Sequence, residues 1–139
     1  MIKRLSIILV ALLVVTKSFA YDFKSGTGSG TMYYNLDRTK HEATVVAGEW
    51  QYMGDIVIPS EITVEGENYS VTTIGKDAFY YCYDLSSVTL GSNVTTIKTY
   101  AFERVSGPNS TGIKINLDSE SLTTIEANAF HCATLAPNY

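Results

Sequence analysis

Apolar and polar positions along this chain fall into two regimes. The first is an unbroken apolar run of nine residues, Ile7 to Val15, preceded by Lys3 and Arg4. Beyond it, apolar residues come in short clusters that repeat in phase. Val71-Thr-Thr-Ile74 is followed by Ala78-Phe79, Val94-Thr-Thr-Ile97 by Ala101-Phe102, and Leu122-Thr-Thr-Ile125 by Ala129-Phe130. Ile74 to Ile97 and Phe79 to Phe102 are both 23 residues, while Ile97 to Ile125 and Phe102 to Phe130 are both 28. The longer spacing coincides with Ser106–Gly112, whose Gly and Pro mark a loop. Self-similarity at a fixed short period is the signature of a repeat architecture.

The segments between the copies alternate apolar with polar residues or are β-branched, which suits short strands with one buried face. They are Ile56–Ile58, Val88–Leu90 and Ile113–Leu117. One unit therefore predicts a strand, a turn, a second extended piece at φ-T-T-I and a brief helical turn at A-F-x-x-C. A unit this small cannot bury its Ile, Ala and Phe alone, but stacked on neighbours it can. The expected fold is mainly β with short helical turns, a solenoid of about three repeats over residues 71–139. Phe79, Phe102 and Phe130 should form its spine. Residues 21–70 lack the repeat and are expected as an N-terminal β-rich cap. There Met32–Leu36 and Ala43–Ala47 predict strands, and Ile62–Val64 with Tyr69–Val71 predict a hairpin about Glu65–Asn68. No comparable cap follows the last copy, so the C-terminal edge is expected to be open, with the chain stopping at Tyr139 before another strand.

These residues carry a family resemblance. The pattern φ-T-T-I-G-x-x-A-F-x-x-C-x-x-L-x-x-V-x-L over Val71–Leu90 resembles the leucine-rich repeat of the BspA-like proteins, and the stretch from Gly54 to Val64 resembles the segment that precedes its first copy. The likeness covers about residues 31 to 135. It implies a leucine-rich-repeat solenoid, secreted or on the surface of a host-associated bacterium, used for adhesion or protein binding without catalysis. Two departures stand out. Val105 occupies the middle copy's Cys position, and the copies are few for this family.

The start of the chain bears on location. Lys3 and Arg4, the apolar run and Ser18-Phe19-Ala20 give the layout of a signal peptide, Met1 to Ala20, cleaved before Tyr21. A bilayer span needs about 20 apolar residues, so nine predict export rather than stable membrane insertion. The expected location is secreted, cell-surface or periplasmic. Without those twenty residues the chain carries seven Lys and Arg against fourteen Asp and Glu. Such an acidic chain is unsuited to nucleic acid, whose phosphates call for clustered cations.

Candidate chemistry is sparse. Cys82 and Cys132 are read as equivalent ladder positions two repeats apart. With strands about 4.8 Å apart, their Cα atoms would be roughly twice that, beyond the roughly 4.4–6.8 Å of a disulfide. Two buried thiols are expected. Gly26–Gly30 sits six residues from the expected mature start and runs into the strand at Met32 where a phosphate cradle needs a helix, so it is expected to be a flexible lead-in. His41 and His131 are ninety residues apart and form no metal-ligand spacing. Asp118 and Glu120 read as a solvated loop. No catalytic motif, metal site or cofactor is expected. Asn68, Asn93 and Asn109 begin glycosylation patterns meaningful only in a eukaryotic host.

What remains is surface. Ser87, Thr89, Lys114 and Asn116 are the strand positions facing away from the core, on the sheet where solenoids usually bind. Tyr80, Tyr81, Tyr83 and Tyr100 gather around the A-F-x-x-C turns. They either pack along the outer side of the turns or present an aromatic ladder to a protein or glycan. The expected partner is a protein or glycan macromolecule outside the cell. Self-association through the open C-terminal edge is the competing reading.

Overall fold

The computed structural model describes residues 21–26, 30–117 and 119–137. The signal-peptide expectation, Thr27–Ser29 of the glycine run and Asp118 lie outside the described residues. Among the described residues ten strands run in chain order: β1 (Phe23–Ser25), β2 (Met32–Asp37), β3 (Glu42–Val46), β4 (Gly54–Val57), β5 (Glu61–Val64), β6 (Glu67–Ile74), β7 (Leu85–Thr89), β8 (Thr96–Ile97), β9 (Lys114–Asn116) and β10 (Thr124–Ile125).

They form two sheets. Sheet A has the order β1-β2-β3-β6-β8-β10, with β5 also paired to β6; sheet B has the order β4-β7-β9. The φ-T-T-I pieces are the parallel rungs of sheet A, where Ile74 pairs with Ile97 and Ile97 with Ile125. The strand-like segments between copies are the parallel rungs of sheet B, where Val88 pairs with both Ile56 and Ile115. Each repeat thus crosses from sheet A to sheet B through its A-F-x-x-C turn.

At the N-terminal side the pairing changes direction. β1, β2 and β3 are antiparallel to one another, and β3 then lies parallel to β6. β5 and β6 make the expected hairpin, tightened to a two-residue turn at Glu65 (φ 55) and Gly66 (φ 88). Two successive positive φ values make a turn whose twist matches that of the strands. A boundary at residue 70 falls inside β6, and β4 already belongs to sheet B.

The turns at A-F-x-x-C depart from expectation because they are not helical. Each is built on i to i+3 hydrogen bonds flanked by left-handed residues. Asp77, Tyr100 and Asn128 sit at φ 57, 58 and 60, and Tyr81, Arg104 and Cys132 at φ 58, 54 and 54. A non-glycine residue there costs about 1–2 kcal/mol. Stacking offsets it, because the turns bond to the next repeat as strands do. Phe79 N–H donates to Ala101 O at 2.8 Å and Phe102 N–H to Ala129 O at 2.8 Å, while Tyr81 and Arg104 donate to Glu103 O and His131 O. A continued α-helix would spend these donors within its own turn. A 3-10 turn, Pro108–Ser110, lies in the inserted loop.

The core is a set of ladders running along the solenoid. Phe79 and Phe102 stack at 4.8 Å and 3°, and Phe102 and Phe130 at 5.2 Å and 4°. The spine extends further than the repeat implies, since Tyr52 lies 4.7 Å from Phe79 and Tyr33 lies 6.2 Å from Tyr52. Tyr52 is buried with its hydroxyl satisfied, donating to Val46 O at 2.7 Å and accepting from Tyr33 N–H at 3.1 Å. Burial weakens towards the last copy. Phe79 and Phe102 are fully buried, Phe130 is half-buried, and Ile125 is exposed where Ile74 and Ile97 are sealed. Beyond β10 the chain returns to the edge of sheet B, where Leu135 forms a parallel bridge with Ile113, the residue before β9.

The cysteines require a correction. Both are free, as expected, but only Cys82 is buried and Cys132 is exposed. Phe79 and Phe130 are 51 residues apart, whereas Cys82 and Cys132 are 50 apart. Cys132 therefore aligns with the left-handed Tyr81 and Arg104, and Ala133 aligns with Cys82 and Val105. The one-residue offset turns the Cys132 thiol outward. Burial raises the Cys82 thiol pKa to about 11.

Candidate functional site

Sheet B positions the first set of candidate residues. Its pleat buries Ile56, Val88 and Ile58 and turns the intervening side chains outward. Register then assembles two rows across the three strands. One is Asp55, Ser87 and Lys114; the other is Val57, Thr89 and Asn116. All four expected strand residues, Ser87, Thr89, Lys114 and Asn116, thus share one outer face. Two neighbours that the sequence reading did not single out, Asp55 and Val57, complete it. Both come from β4, where the sequence predicts the strand Ile56–Ile58 but its alternation was not carried outward to Val57 or back to Asp55.

The rows differ in chemistry. Ser87 Oγ donates to Asp55 Oδ1 at 2.6 Å, so an acid and a base lie at opposite ends of the first row with a hydroxyl between. The second row opens on Val57, which is 70% exposed. The inserted loop borders this face. Asp55, Ser87 and Lys114, with Pro108, Thr111 and Gly112 from the loop, line an open groove of about 410 Å³. The insertion that lengthens the middle repeat from 23 to 28 residues thus supplies one wall of the groove.

The tyrosines occupy the turn side instead, and they are not a uniform ladder. Tyr81 is the centre of a cluster, with Tyr80 edge-on at 4.2 Å and Tyr83 edge-on at 5.4 Å. The Arg104 guanidinium, from the equivalent position of the next repeat, lies over the Tyr81 ring at 5.2 Å and donates to its hydroxyl. Tyr80 and Tyr83 remain exposed while Tyr81 is half-buried. Tyr100 belongs to the next turn, edge-on to His131 at 6.0 Å. Tyr81 therefore packs along the turns, whereas Tyr80 and Tyr83 offer ring surface to solvent.

Other titratable groups sit in small polar strings. His131 Nδ1, from the last turn, lies 3.3 Å from Glu103 Oε1 of the turn before it, and His131 Nε2 lies 3.7 Å from Cys132 Sγ. Glu126 accepts from Thr99 N–H and Thr99 Oγ1, each at 2.9 Å, and pairs with Lys98 at 3.0 Å; these donors hold its carboxyl below the usual range. Among the described residues no group of three or more His, Cys, Asp or Glu is placed to hold a metal ion. No helix among them is long and apolar enough to cross a membrane.

Sequence reasoning also missed a surface residue outside the repeat. Trp50, in the β3–β4 connection, is 70% exposed and is the chain's single tryptophan. That composition was its signal, but it lies outside the repeat.

Comparison with known proteins agrees with this architecture. The family model described as "BspA type Leucine rich repeat region (6 copies)" matches residues 55–137. No curated protein sequence matches the chain. Among solved structures, a leucine-rich repeat protein from Bacteroides capillosus is 28% identical with a TM-score of 0.62, the alignment covering 78% of this chain and 75% of that one. A leucine-rich repeat protein from Bacteroides ovatus is 25% identical with a TM-score of 0.59, covering 73% of this chain and 24% of that one. A leucine rich cell surface protein from Faecalibacterium prausnitzii is 26% identical with a TM-score of 0.50, covering 81% and 26%. This chain spans about a quarter of the length of the last two. A family match over residues 55–137, together with parallel rungs in both sheets linked by stacked turns, establishes that the chain belongs to the BspA-type leucine-rich-repeat family.

Proposed function

We propose that this chain is an extracellular, non-catalytic protein-binding or adhesion module that presents the outer face of sheet B to its partner. Proteins of the BspA type are typically surface or secreted and typically non-catalytic, and the repeat itself suggests an interaction module. The observation that carries the reading is the register of sheet B. It brings Ser87, Thr89, Lys114 and Asn116 into two rows with Asp55 and Val57, beside the wall made by the inserted loop. Adjacent strands repeat at about 4.8 Å, so the face offers regularly spaced polar groups on a rigid platform. Export by the N-terminal signal belongs to the same reading.

The test is capture on immobilised host matrix proteins and glycans, comparing the native chain with Lys114→Glu and Thr89→Arg. Both substitutions are at exposed positions, so folding should survive. Retention by a matrix protein that both variants abolish supports the reading; retention untouched by either refutes the assignment to this face.

A second reading is association with another copy through the last rung. Ile125, Leu117 and Leu135 are 48%, 39% and 51% exposed there, more aliphatic surface than earlier rungs leave uncovered. Light scattering across a concentration series separates the two, since a protein that stays monomeric throughout removes the self-association reading.

A further inference from the structure

The β3–β4 connection, residues 47–53, carries the chain from sheet A to sheet B beside the first A-F-x-x-C turn. Its Trp50 lines a cleft of about 230 Å³ together with Glu49, Gln51 and Tyr80, over a floor that includes Ala78. Trp50 is 70% and Tyr80 42% exposed. At about 25 cal/mol per Å² of apolar area, leaving an indole this exposed forgoes much of its burial energy. Fold stability does not account for the residue at this position.

The polar part of the cleft is acidic. Glu49 Oε1 accepts a hydrogen bond from Tyr21 at 2.6 Å and lies 3.4 Å from Lys24 Nζ. The Tyr21 hydroxyl, and then Lys24, hold the Glu49 carboxyl below its usual range despite some desolvation, so it is ionised at neutral pH. Among the lining residues Glu49 is the one charged group, with no Lys or Arg. Lys24, half-exposed, partly offsets that charge from outside the lining. Tyr80 is braced edge-on by Tyr81 at 4.2 Å, which fixes its ring.

Two aromatic rings beside a carboxylate make a recognisable chemistry. Ring faces carry the negative lobe of a quadrupole and attract cations within about 6 Å, most strongly at Trp. Residues 21–139 hold fourteen acidic against seven basic side chains, so their field also draws cations. We propose that the Trp50–Tyr80 cleft receives a Lys or Arg side chain from a basic segment of a partner protein, seated between the rings beside Glu49. This rests on the reading of the chain as a protein-binding module and adds a second contact on the turn side, apart from the groove of sheet B. The incoming cation shares or displaces Lys24 at Glu49. A neutral sugar ring would use the same rings, but the acidic balance would contribute nothing to it.

Trp50 is its own probe, because no other tryptophan contributes to emission. The full chain is titrated with a Lys- and Arg-rich peptide, with the same peptide carrying Gln at those positions, and with a neutral oligosaccharide, each at low and high salt. The expected result is a saturable change in Trp50 emission with the basic peptide alone, its affinity falling as salt rises. Glu49→Gln keeps an acceptor for Tyr21, and calorimetry should show it weakening binding about three- to thirtyfold, as should Trp50→Ala or Tyr80→Ala. Far-UV circular dichroism checks that each variant is folded. Equal response to the neutral oligosaccharide would overturn the proposal in favour of a glycan site. Unchanged Trp50 emission would also overturn it, as would undiminished affinity in Glu49→Gln. If the basic peptide still bound in those cases, the protein-binding reading would stand with its contact elsewhere; loss of matrix capture on changing sheet B tests that reading separately.

Discussion

Replacing Phe102 by Ala strikes the solenoid where its rungs depend on one another. The ring is fully buried and stacked on both sides, at 4.8 Å on Phe79 and 5.2 Å on Phe130. Burying a phenylalanine contributes about 1.5–3 kcal/mol, and each aromatic pair adds about 0.5–1.5 kcal/mol beyond its area. The neighbouring rungs are held by backbone bonds on both sheets and through the turns, so they cannot collapse fully into the void. The expected loss is about 3–5 kcal/mol, the range for a large aromatic removed from a core that relaxes only in part. Phe130 gives the internal comparison. It is half-buried with one ring neighbour, so Phe130→Ala should cost about 1–2 kcal/mol. Urea denaturation followed by far-UV circular dichroism measures both. A Phe102→Ala loss no larger than that of Phe130→Ala would refute the stacked spine as the main source of cohesion.

Three further outcomes follow from the turns and the charged groups. Under native conditions a thiol reagent should label Cys132 rapidly and Cys82 slowly, with both labelled in denaturant; equal native rates would contradict the outward turn of Cys132. Arg104→Val places a β-branched residue at φ 54, where crowding exceeds that of the native arginine, and should destabilise by about 1–2 kcal/mol; Arg104→Gly loses the same Tyr81 contact but relieves the backbone strain, so it should cost less than Arg104→Val. Glu126 has a folded pKa below its ordinary 4.5, so its contribution is present above that pH and is lost as pH falls through the lowered value. Glu126→Gln should therefore flatten the acid limb of a stability-versus-pH curve, and an unchanged limb would argue against the Thr99 and Lys98 contacts.

Much of the architecture was legible from period alone. The 23- and 28-residue spacings located the rungs, the Phe spine and the loop, because a stacked repeat must place equivalent side chains in one column. The turns were not legible as such. A-F-x-x-C has the spacing of a helical turn, and only the neighbouring repeat's carbonyls favour the left-handed form at Tyr81 and Arg104. The Cys132 offset was hidden by composition, since a Cys near an A-F pair resembles the first copy while standing one residue short of it. Of the candidate surface, the four strand residues followed from strand alternation. Val57 follows from the same alternation at Ile56–Ile58, whereas Asp55 stands before that segment and depended on the pairing of β4 with β7. Trp50 depended on a connection that has no repeat to align it.

The central claim is that the outer face of sheet B is the contact surface of this module. Hydrogen–deuterium exchange on the chain with and without a captured matrix protein tests it most directly. The account predicts new protection at 54–57, 85–89, 106–112 and 114–116, with the rungs of sheet A unchanged. Protection confined to β10 and the turn before Leu135, or absent from β7 and β9, would contradict it.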